Sequence, residues 1–166
     1  LRLQSGVAGG PRFNTPHGLL HFCHAGPAGT PTLTNTAGGP LQTYGTTPAG
    51  GANITNNNGS STVCFGSNTA GDATITNNSG GNVQFYGNST GGNARFINNL
   101  GGFVDFSSAS SPFGPLGVPD LTAGSLAGAG NFYLGNRPLN LGGNNLSTPV
   151  SGVISDCGAT GTDCSS

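Results

Sequence analysis

Apolar residues recur two apart along this chain, in short bursts separated by glycine, asparagine and threonine. Set out in rows of 21 residues, the bursts fall into columns. One column holds Leu33, Ile54, Ile75 and Phe96. Eight positions on, a second holds Leu20, Leu41, Thr62, Val83 and Val104, and two beyond that a third holds Phe22, Thr43, Cys64, Phe85 and Phe106. Each row therefore predicts two short strands, each with one face buried. The rows run 10–30, 31–51, 52–72, 73–93 and 94–114. In the first, Arg12 stands where Leu33 stands later, and Phe13 is placed to replace it through a one-residue shift.

Polar and small residues keep the same period. Asn14, Asn35, Asn56, Asn77 and Asn98 share a column, which predicts a ladder of side-chain amides, each donating to the next. Pro31, Ala52, Ala73 and Ala94 form a narrow column, and Gly45, Gly66 and Gly87 stand where corners need positive φ. Self-similarity at this period predicts a solenoid whose coils stack about 4.8 Å apart around a shared core. The fold expected is all-β, a parallel β-helix with about 21 residues per coil. The regular solenoid is expected over 1–114. The period breaks at SSASSPFGPLGVPD, so an irregular loop is expected at 115–127, and further coils with a cysteine-containing tail over 128–166. Phe132 and Leu134, Leu139 and Leu141, then Val150, Val153 and Ile154 supply the apolar pairs of those coils.

Composition adds to this picture. The 166 residues include 32 Gly and 11 Pro, with 33% hydrophobic and 5% charged residues. Lys, Glu and Met are absent, which disfavours helix throughout. Disordered chains usually stay soluble through charge, whereas this one is rich in neutral hydrogen-bonding side chains. With a net charge of −1 it offers no basic stripe for phosphates, so nucleic acid is not an expected partner. No run approaches the roughly 18 apolar residues of a membrane span. A chain that begins at Leu1 and has no Met reads as processed or as an internal piece of a longer one.

Candidate chemistry is sparse. Asp72, Asp105, Asp120, Asp156 and Asp163 share no column and Glu is absent, so no catalytic constellation and no cofactor is assigned. Asp105 is expected to point outward beside Gln84 and Val63. His17, His21 and Cys23 carry metal-ligand chemistry on one short stretch, but their spacing matches no closed zinc site, and they read as exposed polar residues in preference to a metal site. Cys157 and Cys164 enclose GATGTD, a spacer that makes a local disulfide geometrically easy. Cys64 sits in a core column and reads as a small buried hydrophobe. Two coils, or about 10 Å, separate it from Cys23, beyond disulfide reach, which leaves Cys23 available to another chain. The even cysteine count fits an oxidising, extracellular setting. Outward Thr pairs, Thr32 with Thr34 and Thr74 with Thr76, are similar to the arrays of ice-binding solenoids, but Asn53 and Arg95 interrupt them.

The phrases ANITNNNGSSTVCFGSNTAG (52–71) and ATITNNSGGNVQFYGNSTGG (73–92) resemble passenger regions of bacterial autotransporters. GAGNFYLGNRPLNLGGNNLSTPVSGVISD (128–156) is similar to the autotransporter-associated β-strand repeat. The resemblance implies a right-handed parallel β-helix, secreted by a Gram-negative bacterium and held extracellularly or on the cell surface. It supplies no activity, since such stalks adhere, catalyse or act as spacers. The function expected is a secreted structural protein, a filament subunit or surface stalk that self-associates end to end. Its alternative is an adhesin binding a glycan or a cell surface. A polysaccharide-active β-helix enzyme ranks below both.

Overall fold

Alternating inward and outward residues over four positions allow only short strands, and every corner between them carries Gly or Asn. The computed structural model describes residues 2–3, 12–15, 20–23, 30–36, 38–44, 50–109, 121–135 and 137–161; at 2, 3, 13, 15, 20–23 and 44 it describes the backbone alone. In chain order the strands are β1 (Arg2–Leu3), β2 (Arg12–Thr15), β3 (Leu20–Cys23), β4 (Thr32–Asn35), β5 (Pro40–Tyr44), β6 (Asn53–Asn56), β7 (Ser61–Cys64), β8 (Thr74–Asn77), β9 (Asn82–Phe85), β10 (Arg95–Asn98), β11 (Phe103–Asp105), β12 (Leu121–Ala123), β13 (Ser125–Gly128), β14 (Asn131–Tyr133), β15 (Leu139–Leu141) and β16 (Ile154–Ser155). No helix occurs among the described residues.

These strands form a parallel β-solenoid. The first sheet runs β1-β3-β5-β7-β9-β11-β14-β16, the second β13-β10-β8-β6-β4-β2, and a third face pairs β12 with β15. Thr32, Asn53, Thr74 and Arg95 lie on successive rungs, which is the 21-residue period in space. Inward residues stack on their counterparts: Leu33, Ile54, Ile75 and Phe96 are buried in one column, Leu41, Val83 and Val104 in another, and Phe85 and Phe106 in a third. Phe85 and Phe106 stack with centroids 4.6 Å apart, and Phe96 meets both edge-on at 5.9 and 6.0 Å. Leu20 and Phe22 share the register of Leu41 and Thr43. Ala52, Ala73 and Ala94 are buried where the carbonyls of Ala52 and Ala73 accept from Thr74 and Arg95 on the next rung.

Two expectations are corrected. Phe13 pairs with Leu33, as the one-residue shift expected, but the same shift sets Asn14 against Thr34 instead of Asn35 and leaves it exposed. Register follows the apolar position, since the alternative buries a guanidinium without a partner. Asn14 therefore lies outside the buried ladder. The stretch 115–127, expected as an irregular loop, contains β12 and most of β13. Phe96 pairs with Leu126, 30 residues on rather than 21, so the coil is widened and the second sheet resumes beyond the extra residues. The next coil returns to a shorter path, with Phe132 paired to Ile154.

Candidate functional site at the ladder and the last coil

The asparagine column is a continuous buried ladder over four rungs. Asn35 donates through Nδ2 to Asn56 Oδ1 at 3.4 Å, Asn56 to Asn77 at 2.9 Å, and Asn77 to Asn98 at 2.8 Å. Each amide also donates to the backbone of the first-sheet strand one coil on: Asn35 to the Ser61 carbonyl, Asn56 to that of Asn82 and Asn77 to that of Phe103, all at 3.0 Å. Asn98 ends the series on the Asn131 carbonyl at 2.8 Å, because its register partner is Gly128. Thr62, the polar residue in an apolar column, donates to Asn56 Oδ1 at 3.1 Å.

A second ladder runs beside the first, and the sequence reading missed it. Asn99 donates to Asn78 and Asn78 to Asn57, both at 2.6 Å. Its donors point toward the chain start, opposite to those of the buried ladder. Its signal was present in the Asn-Asn doublets at 56–57, 77–78 and 98–99.

Among the acidic residues, Asp72 accepts from Asn93 Nδ2 at 3.2 Å. Asp105 accepts the backbone N–H of Ser107 at 2.9 Å and of Ala159 at 3.0 Å, and it pairs with Gln84 on the rung before. No group of three or more His, Cys, Asp or Glu able to hold a metal occurs among the described residues. His17 and Cys164 fall outside those residues, as do the side chains of His21 and Cys23. Cys64 is buried between Thr43 and Phe85 on neighbouring rungs. Burial pushes its thiol up to about 11, with the Thr43 hydrogen bond pulling the other way.

The last coil differs from those before it. β15 pairs only with β12 and β16 only with β14, so each has one edge without a strand among the described residues. Ile154 sits in the column of Val104 and Phe132, both fully buried, yet it is 48% exposed. Leu141, Leu146 and Val153 are exposed on the same coil. Core-type side chains and open strand edges together can bind a further rung of parallel sheet. No helix among the described residues is long and apolar enough to cross a membrane. Compared with protein-family models, curated proteins and solved structures, the chain matches none.

Proposed function

We propose that this protein is a structural, secreted β-solenoid of autotransporter-passenger type that builds an extracellular filament or surface stalk by stacking coil ends. The observation that carries this reading is the exposed end of the last coil, where Leu141, Leu146, Val153 and Ile154 meet solvent. An end-to-end contact joins two different surfaces, does not close, and therefore extends into a fibre. The near absence of charge fits the same reading, since little repulsion opposes the stacking of near-identical coils. A disulfide between Cys157 and Cys164 would tie down the tail beyond the last strand.

Sedimentation velocity over a concentration series tests the reading. Association that rises with concentration is expected, and it is expected to be lost in a Val153→Lys, Ile154→Lys double variant, which places two charges on the exposed end. A wild-type protein that stays monomeric at every concentration contradicts it. An adhesin binding a glycan or a cell surface is the second reading, favoured by the partly exposed rings of Phe65, Tyr86, Phe103 and Tyr133.

A further inference from the structure

The turns that lead from the second sheet to the first repeat with the coils, and one of them departs from its neighbours. Each is closed by a backbone bond: the Ser60 N–H donates to the Asn57 carbonyl at 2.9 Å, Gly81 to Asn78 at 2.7 Å and Gly102 to Asn99 at 2.8 Å. The third residue of each turn is glycine, with φ of 78°, 75° and 82° at Gly59, Gly80 and Gly101. Only in the first turn does the second residue also take a positive φ, 46° at Asn58, which Ser79 and Leu100 do not. Positive φ at both central positions turns the peptide between them over relative to the next rung. The donors differ accordingly. The Gly80 N–H is held by the Gly101 carbonyl at 2.9 Å, whereas the Gly59 N–H meets no acceptor among the described residues.

The side chains of these turns differ in the same way. Asn57, Asn78 and Asn99 open the three turns and are tied to one another in the outer ladder. Asn58 is exposed and makes no hydrogen bond among the described residues. It also begins the one Asn-Gly pair in the chain. Glycine has no Cβ to shield its nitrogen, and the place where one would stand on Gly59 has no atom within 4 Å. Asn145, the other asparagine with positive φ, precedes Leu146, whose N–H is bonded to Asn144 Oδ1 at 3.1 Å. A carboxamide without partners, an unbonded backbone N–H one residue on and open space beside them occur together at Asn58. These are the conditions for attack of a backbone nitrogen on the side-chain amide.

We propose that Asn58 is a site of self-modification, at which the folded protein deamidates through a cyclic imide. The Gly59 nitrogen bonds to Asn58 Cγ, the Cγ–Nδ2 bond breaks, and the Gly59 amide proton leaves with Nδ2 as ammonia. Water then opens the imide. Cleavage between the nitrogen and Cγ restores the original chain with a carboxylate in place of the amide. Cleavage between the nitrogen and the main-chain carbonyl carbon gives an isoaspartyl link, which routes the backbone through Cβ and Cγ. Either product adds one negative charge to a chain whose net charge is −1. The site lies on a turn along the rod and does not rest on end-to-end stacking.

Incubation of the native protein at mildly alkaline pH, which promotes loss of the amide proton, tests the proposal through peptide mapping by mass spectrometry and labelling with an isoaspartyl methyltransferase. A gain of about 1 Da in the peptide that holds Asn58 is expected before a gain in any other, with methyl acceptance at the same place. Anion exchange is expected to resolve a more acidic form that Asn58→Gly, which accepts the positive φ, does not produce. Ser79→Asn sets the same dipeptide on the next rung, where the Gly101 carbonyl holds the Gly80 N–H. Conversion there is expected to lag that at Asn58 several-fold, because a hydrogen bond must first break. Circular dichroism confirms that each variant is folded, and the map of the wild-type protein keeps the test decisive if one is not. No mass gain in the folded wild-type protein, earlier conversion at another asparagine, or conversion at position 79 that keeps pace with Asn58 overturns the proposal.

Discussion

Asn77 holds two donated hydrogen bonds and accepts a third from Asn56, all in a site closed to solvent. Removing its amide leaves buried partners without a mate, and Asn77→Ala is expected to cost about 2–4 kcal/mol. Asn99 makes one ladder bond, 2.6 Å long, at the surface, so Asn99→Ala is expected to cost less than about 0.5 kcal/mol. Urea unfolding of the two variants separates them, and equal midpoints contradict a structural ladder. Cys64 gives a second test at this scale. The neutral thiol is favoured in the folded protein, so its contribution is fully present below about pH 9 and is lost as pH rises through about 11. Stability is expected to fall over that window by an extra ~2–3 kcal/mol relative to Cys64→Ala. Coincident pH profiles contradict it. The buried ladder was legible because its residues repeat at one spacing. Asn14 was misplaced because the one-residue shift expected for Phe13 was not carried through to the asparagine column, which was counted at the fixed period.

At the scale of the strand and corner, close approach of successive coils decides which residues fit. A Cβ on Gly81 would stand 2.3 Å from the Asn56 carbonyl oxygen of the coil before, and one on Gly102 would stand 2.7 Å from the Asn77 carbonyl oxygen. Backbone cannot yield as a flexible side chain does, so Gly81→Ala is expected to destabilise by about 1–3 kcal/mol despite its small size. Thermal denaturation checks this, and an unchanged midpoint contradicts it. Strands β4 to β11 were legible from alternation: in β4, β6, β8 and β10 an inward Leu, Ile or Phe precedes the ladder Asn by two residues, and β5, β7, β9 and β11 follow the columns of Leu41 and Val83. β12 and β13 were not. Leu121, Ala123 and Leu126 follow a Pro-rich stretch that hides their register, and only the widened coil brings Leu126 onto Phe96. The third face was equally hidden, since its rungs at Thr69 and Thr90 are single bridges with Ala70 as the buried residue beside them.

Across the whole molecule, the same stacking that fills the interior leaves the last coil with exposed core residues. Among the described residues, the column of Val104 and Phe132 finishes at Ile154, which is half exposed. That face was only partly legible: the apolar pairs of the C-terminal coils were visible in the sequence, but their exposure depends on which rung lies outermost. Electron microscopy of the purified protein tests the end-stacking reading directly. Rods that lengthen with concentration in steps of about 4 nm, the span of the eight-stranded sheet, are expected. Monodisperse short rods without end-to-end contacts at every concentration would contradict it.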